Sequence, residues 1–220
     1  MRTIELHKSV TESNDRDAQK LRDELTRSGV LLINLMSAAG SGKTTLLSRM
    51  IQDIGEKARI AVLEADIEAS VDAERIEALG ARSIQVHTDG MCHMDAGMTE
   101  TGLREMGLDG IDIAFLENIG NLICPAEYDT GAQLKLMILS VPEGDDKPLK
   151  YPLMFRESDA LVISKTDTLS YFDFDMEKVK ERSRFLNPDI RIFPVSAKTG
   201  EGMSALEDYL MEEFHKLCMN

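Results

Sequence analysis

The chain has 220 residues, 43% of them hydrophobic, and a formal net charge of −14. This length and apolar content suffice for one globular domain with a core, and the acidic charge argues against a nucleic-acid partner. No apolar run approaches membrane-spanning length, and the first ten residues do not resemble a secretory signal. We therefore expect no membrane association and a cytoplasmic location, where three cysteines favour metal binding or catalysis over disulfides.

The predicted elements begin with an amphipathic helix and continue as strands that alternate with helices. In the charged segment 12–27, Ala18, Leu21 and Leu25 recur at helical spacing, which predicts a helix packed on the domain. Apolar runs predict strands at 30–36, 59–64, 83–86, 111–116, 134–141, 160–164 and 191–195, and helices at 44–54, 73–79, 176–185 and 204–216. This alternation predicts an α/β fold: a mainly parallel sheet with helices on both faces and ligands at the carboxyl ends of its strands.

The first predicted strand runs into a glycine-containing turn of the kind that binds nucleotide phosphates, Ser37-Ala-Ala-Gly-Ser-Gly-Lys-Thr-Thr45. Glycines allow the backbone N–H groups to point inward at phosphate oxygens, and the following helix adds the positive end of its dipole. Lys43 is placed to reach the β- and γ-phosphates, and the Thr44 hydroxyl to ligate Mg²⁺. Ser37 stands where the strict pattern has glycine, so the strand–turn–helix context supports this prediction over a plain helix start. The expected phosphate-binding residues are Gly40, Ser41, Gly42, Lys43, Thr44 and Thr45.

Two acidic residues at predicted strand ends are expected on the phosphate side. Glu117 ends an apolar run and precedes Gly120, resembling the Mg²⁺/γ-phosphate pattern D-x-x-G with glutamate in place of aspartate. Asp66 follows another strand, where a capped loop start is the alternative interpretation. We assign both carboxylates to Mg²⁺, directly or through water, and expect Lys43, Thr44, Asp66 and Glu117 to form the catalytic group. No strong general base is visible in the sequence, and we expect an ordered water near Glu117 to take part in its place.

Two later loops favour guanine as the base. Ser164-Lys-Thr-Asp167 resembles the guanine-reading N-K-x-D, with serine in place of asparagine. Asp167 could accept from both guanine N–H groups, a bidentate contact that adenine cannot reproduce, while the Lys165 stem lies along the base. Ser196-Ala197-Lys198 resembles the S-A-K loop that contacts the guanine carbonyl through its backbone. The alternatives are a helix cap at Asp167, a turn cap at Ser196, and an ATPase of the same broad group.

Cys92, His93 and Cys124 form a candidate metal site. Thiolate and imidazole together suit Zn²⁺, Ni²⁺ and Cu, and do not suit Mg²⁺. Cys124 lies four residues after Gly120, and the Cys92-His93 pair follows the predicted strand 83–86, so both lie in segments that could move with the γ-phosphate. Buried structural cysteines and a structural histidine are the alternative. Three ligands leave a fourth position for water or a second subunit.

Taken together, these motifs resemble the hydrogenase nickel-incorporation GTPases, the HypB family. The resemblance covers essentially the whole chain from the N-terminal helix onward, and rests on the segments 37–45, 72–76, 92–96, 117–127 and 143–152. Segments 117–127 and 143–152 are long and specific. The sister urease-maturation family has a motif like Cys-Pro-His at the metal position. In this chain Cys92 and His93 are adjacent, with no residue between them.

The resemblance implies a P-loop NTPase fold with a SIMIBI-type G domain at 30–220, on which an N-terminal segment and helix at 1–29 pack, as a single domain overall. It implies slow GTP hydrolysis to GDP coupled to nickel delivery into [NiFe]-hydrogenase precursors. A GTP-dependent homodimer with the metal site at or near its interface, and a small zinc-containing nickel chaperone as partner, are also implied. Cys92, His93 and Cys124 match the family's Ni²⁺ or Zn²⁺ ligands; Lys43, Thr44, Asp66 and Glu117 match its phosphate and Mg²⁺ positions. The alternatives are a urease-type nickel GTPase and a metal-binding protein whose nucleotide site is only structural.

Overall fold

The structure, a computed structural model, describes residues 6–65 and 76–219, with side chains from residue 11 onward. Seven strands form one sheet: β1 (Leu31–Ser37), β2 (Ile60–Glu64), β3 (Arg82–Gln85), β4 (Ile113–Glu117), β5 (Leu134–Ser140), β6 (Ala160–Ser164) and β7 (Arg191–Pro194). The helices are α1 (Leu6–Ser28), α2 (Lys43–Ile54), α3 (Ala96–Met106), α4 (Cys124–Glu127), α5 (Lys147–Lys150), α6 (Pro152–Glu157), α7 (Met176–Leu186) and α8 (Met203–Met219). Two 3₁₀ turns lie at Val141–Glu143 and Thr166–Tyr171. No described helix is long and apolar enough to cross a membrane.

Every strand pair in the sheet is parallel, and the strand order is β3-β2-β4-β1-β5-β6-β7. The chain leaves β1 toward one edge of the sheet and returns to its other side at β5. The carboxyl end of β1 therefore lies at the point where the winding direction reverses, which is where open α/β sheets bind ligands. The predicted parallel sheet with helical layers is confirmed.

The five central strands are buried on both faces because they are apolar along most of their length, whereas the edge strands β3 and β7 are partly exposed. All seven residues of β1 are buried. Leu31, Ile33 and Leu35 belong to the cluster that includes α2 and α8, whereas Leu32 belongs to the cluster on the opposite face with α1. Residues on successive positions of a strand point to opposite faces, so a continuous apolar run is what a doubly covered strand requires.

Helix α1 packs on the sheet as its amphipathic pattern predicts. Ala18, Leu21 and Leu25 are buried, and Leu21 and Leu25 belong to the same cluster as Leu103 of α3. Arg22 makes two hydrogen bonds of 2.7 Å to the Asp129 carboxylate and donates from Nε to the Ala132 carbonyl at 3.0 Å. These contacts fix α1 against the segment that leads from α4 into β5.

Helix α3 was not expected from the sequence. Of the predicted helix 73–79, residues 73–75 lie outside the described residues and residues 76–78 are helical. The α3 sequence AGMTETGLREM contains two glycines and two threonines, which are weak helix formers. Two tertiary features offset this weakness. The Asp95 side chain accepts from the Met98 N–H at 2.8 Å and so caps the helix. At Gly102, an added Cβ would lie 2.9 Å from the Val86 side chain, so glycine permits close packing on the sheet.

Candidate nucleotide and metal site

The phosphate loop connects β1 to α2 through two glycines in the left-handed region. Gly40 has φ +75° and Gly42 has φ +97°, a conformation that costs glycine little and other residues more. The Ser41 hydroxyl donates to Ser37 Oγ at 2.7 Å. Ser37, which departs from the strict glycine pattern, thus supplies a hydrogen-bond acceptor inside the loop. The loop ends where α2 begins, at Lys43.

Lys43, Thr44 and Glu117 lie together at the mouth of this loop. Lys43 is buried, and Thr44 Oγ1 donates to Glu117 Oε1 at 3.0 Å. Glu117 reaches this position because β4 pairs with β1, with Glu117 in register with Leu35. Just beyond it, Gly120 packs so closely on the loop that an added Cβ would lie 2.9 Å from the Ala39 nitrogen and Cα. The other predicted magnesium ligand, Asp66, lies outside the described residues.

A second buried carboxylate, Glu64, was not singled out from the sequence. It ends β2 in register with Glu117 on β4, is 1% exposed, and accepts a hydrogen bond from the Ser83 hydroxyl at 3.2 Å. Two neighbouring acids at the carboxyl edge of the sheet make this position electronegative and favourable to a cation. Its place as the last residue of a predicted strand was the available signal.

The loops predicted to bind guanine line a cavity of about 220 Å³ beside the start of α2. Asp167 Oδ1 accepts from the Ser196 hydroxyl at 2.7 Å, which joins the two loops. The Ser164 hydroxyl donates to the Ser41 carbonyl at 2.8 Å, and Lys165 Nζ donates to the Gly40 carbonyl at 2.7 Å. Both loops are therefore fixed to the phosphate loop. The cavity is lined by Ser41, Gly42, Thr45, Leu46, Ser164, Lys165, Asp167, Thr168, Ala197 and Lys198.

The two parts of the predicted metal site, 32 residues apart in sequence, meet in the structure. Their ligand atoms lie within 4.8 Å of one another, with Cys92 Sγ 2.9 Å from Cys124 Sγ and 3.7 Å from His93 Nδ1. The His93 ring is buried and stacks on Tyr128, with ring centroids 3.7 Å apart. The Cys92 thiol faces solvent. Two thiols and one imidazole are a donor set for nickel or zinc, with room for a fourth ligand from outside.

The protonation states within the triad follow from its surroundings. A hydrogen bond with Cys124 raises the pKa of the Cys92 thiol, with a smaller contribution from desolvation. Burial lowers the pKa of His93, against the opposing charges of Asp95 and Glu127. At neutral pH the imidazole is therefore neutral, which is the form that binds metals, whereas the thiols must release protons when a metal binds.

Comparisons with known proteins decide the family. The sequence profile described as "CobW/HypB/UreG, nucleotide-binding domain" matches residues 31–194. The chain is 44% identical to the hydrogenase maturation factor HypB of Azotobacter chroococcum over 92% of its length and 66% of that protein. It is 41% identical to the hydrogenase/urease maturation factor HypB of Helicobacter hepaticus over 96% of its length and 88% of that protein. The chain belongs to the HypB family.

Solved HypB structures agree with this assignment. The crystal structure of HypB from Helicobacter pylori in complex with nickel superposes with a TM-score of 0.87 at 37% identity, covering 93% of this chain and 96% of that one. HypB from Archaeoglobus fulgidus also gives a TM-score of 0.87, at 35% identity over 92% of this chain and 99% of that one. The signal recognition particle receptor FtsY from Elizabethkingia anophelis, at 14% identity, has a TM-score of 0.54 over 84% of this chain and 70% of that one, and shares the fold.

Proposed function

We propose that this HypB-family protein is a magnesium-dependent GTPase that couples its nucleotide state to delivery of nickel into a [NiFe]-hydrogenase precursor. One observation supports this most directly. The segment between Glu117 and Cys124 begins at a side chain that contacts Thr44 of the phosphate loop and ends at a member of the thiol–imidazole triad. A change at the γ-phosphate can thus reach the triad through the backbone of residues 118–123.

For the nucleotide, we assign the phosphates to the 37–45 loop and the guanine base to the cavity beside Asp167. The buried Lys43 ammonium lies where it would offset phosphate charge. Thr44, Glu117 and Asp66 would hold Mg²⁺, which stabilises the charge on the β- and γ-phosphate oxygens. Segments 37–45, 117–120 and 164–167 contain no arginine, so we expect slow intrinsic turnover with water as the nucleophile.

For the metal, we treat nickel as the cargo and zinc as a second metal that the same donors accept. Cys92, His93 and Cys124 supply three donors, and a second copy of the chain supplies or covers the fourth position. The neighbouring Met91 is 43% exposed and Ile123 is 55% exposed. Such apolar side chains around a solvent-facing thiol are consistent with a GTP-dependent homodimer that buries the metal site.

The proposed function also implies partner proteins, a cellular location and a single-domain organisation of the chain. We propose a zinc-containing nickel chaperone as the donor of nickel, a hydrogenase large-subunit precursor as its recipient, and the cytoplasm as the location. Residues 1–29 and the GTPase domain at 30–220 form one unit, which the burial of Leu21 and Leu25 of α1 supports. The relatives from Helicobacter hepaticus and Helicobacter pylori are hydrogenase/urease maturation factors, so a urease precursor is the second candidate recipient.

A transfer experiment tests this proposal. Nickel-loaded protein is mixed with a hydrogenase large-subunit precursor in GDP, GTP or a non-hydrolysable GTP analogue, and the nickel transferred is counted per GTP hydrolysed. We expect transfer to depend on GTP and to be lost in Lys43→Ala and Cys124→Ala. A parallel competition should show GTP displacing bound GDP while ATP does not. Equal transfer in every nucleotide state would instead indicate a metal-binding protein with a structural nucleotide site.

A further inference from the structure

The side chain of Asn118 lies between the phosphate-loop strand, the end of β4 and the metal triad. It is 0% exposed and directly follows Glu117. Its Nδ2 donates to Asn34 Oδ1 on β1 at 3.1 Å, and its Oδ1 accepts from the Met94 N–H at 3.2 Å. The Asn118 backbone N–H also donates to the Leu35 carbonyl of β1 at 3.1 Å. Since Met94 follows His93, one buried amide joins the strand that leads into the phosphate loop to the segment that positions a metal-binding imidazole.

The surroundings of His93 restrict its movement independently of Met94. Its ring is buried and stacked on Tyr128, and the next residue, Met94, is fully buried. A displacement of the Met94 backbone must therefore move the His93 backbone as well. Asn118 Oδ1 also accepts from the Ile119 N–H at 2.9 Å, so the group that would lose its partner on separation is the buried Met94 N–H. An unsatisfied buried N–H is costly, and we therefore expect Asn118 and Met94 to move together.

A second hydrogen bond, from Asn121 to Cys92, connects the same two segments as the bond between Asn118 and Met94. Asn121 Nδ2 donates to the Cys92 carbonyl at 3.3 Å, and the neighbouring Gly120 packs on Ala39 of the phosphate loop. The segment 118–121 thus lies between the phosphate loop on one side and residues 92–94 on the other. The Asn121 contact is exposed, whereas the Asn118 contacts are buried, so Asn118 is the stronger of the two connections.

We propose that Asn118 is the positioning residue that transmits the nucleotide state from the phosphate loop to the thiol–imidazole triad; this inference rests on the proposed function and names the side chain through which its coupling passes. When binding of the γ-phosphate with Mg²⁺ changes the position of Glu117, the neighbouring Asn118 moves as well. Its side chain then shifts relative to Asn34 of β1. The Met94 amide follows, and His93 changes its position relative to Cys92 and Cys124. Asn118 belongs neither to the thiol–imidazole triad nor to the lining of the cavity beside Asp167.

The test compares Asn118→Ala with Gln133→Ala, a matched control. Gln133 is another amide that holds β1: its Oε1 accepts from the Leu32 N–H at 2.8 Å, and its Nε2 donates to the Val30 carbonyl at 3.0 Å, away from the triad. Amide hydrogen exchange of the 92–96 segment is measured without nickel, in GDP and in a non-hydrolysable GTP analogue. We expect nucleotide-dependent exchange in the wild type and in Gln133→Ala, and none in Asn118→Ala. In GDP, the Met94 amide of Asn118→Ala should exchange about fivefold faster, as loss of one hydrogen bond implies.

A second variant covers the case in which Asn118→Ala does not fold. Asn34→Ala leaves the Asn118 bond to Met94 in place and removes only its partner on β1, so Met94 should stay protected while the response to nucleotide falls. Retention of the wild-type response in Asn118→Ala or Asn34→Ala would overturn the inference, as would a wild type whose 92–96 segment does not respond. Failure of the proposed function appears separately, as nickel affinity that is the same in GDP and in the GTP analogue while the exchange response persists.

Discussion

Replacement of Gly120 by alanine should weaken nucleotide binding without unfolding the protein. An added Cβ would lie 2.9 Å from both the nitrogen and the Cα of Ala39, whereas ordinary contact begins at 3.4 Å. The 117–120 segment and the phosphate loop must then separate by the difference, 0.5 Å, and neither contact is with a flexible side chain. Overpacking of this kind costs about 1–3 kcal/mol. If nucleotide binding requires the original loop geometry, GTP affinity falls roughly 5- to 150-fold.

The assay is a fluorescent GTP titration with a parallel thermal unfolding curve. Gly97→Ala is the control, because its added Cβ would lie 3.5 Å from Asp95 Oδ1, an ordinary contact, in the first turn of α3. We expect Gly97→Ala to keep wild-type affinity. If Gly120→Ala binds GTP as tightly as the wild type does, the close contact between this segment and the phosphate loop does not shape the nucleotide site, and the reasoning fails.

Three further predictions concern the phosphate loop, α1 and the α2–α8 interface. Lys43→Ala should abolish GTP hydrolysis while circular dichroism stays unchanged; normal turnover would refute the phosphate-loop assignment. Leu25→Ala, at a fully buried position of α1, should lower the unfolding free energy in urea by about 2–5 kcal/mol; a negligible loss would show that α1 is not part of the core. Burial and a hydrogen bond with Asp53 raise the pKa of Glu207 to about 7, so stability that is present below pH 4.5 is lost as the pH rises through about 7. Glu207→Gln should therefore match the wild type at pH 4 and exceed its unfolding free energy by about 1 kcal/mol at pH 8, after allowance for solvent screening. An identical pH profile for the two proteins would contradict this.

The strands were predictable because a parallel sheet covered on both faces needs apolar residues along the whole strand. The predicted run 160–164 matches β6, and 30–36 differs from β1 by one residue at each end. Helix α3 was missed because its weak helix formers depend on the Asp95 cap and on close packing at Gly102. Neither feature leaves a periodic apolar signal.

Some residues of the candidate site could likewise be predicted from the sequence, and others could not. The phosphate loop and the loops predicted to bind guanine are local sequence motifs, so short segments sufficed to propose them. The triad spans 32 residues in sequence, yet its parts could be paired because both follow ends of strands in one sheet. Asn118 could not be assigned from sequence, since its importance comes from burial against Asn34 and Met94. For Glu64 the sequence offered only its place at the end of a predicted strand, and its register with Glu117 became visible in the structure.

The most direct test of the central claim is a nickel titration of the purified protein with Mg²⁺ and either GDP or a non-hydrolysable GTP analogue. Cys124→Ala serves as the control, since its Sγ lies 2.9 Å from that of Cys92 within the triad and away from the guanine cavity. Coupling between sites is typically about 5- to 150-fold, so we expect nickel affinity to differ between the two states by a factor in that range and the difference to vanish in the variant. Equal nickel affinity in both nucleotide states would contradict a nucleotide-gated metal site.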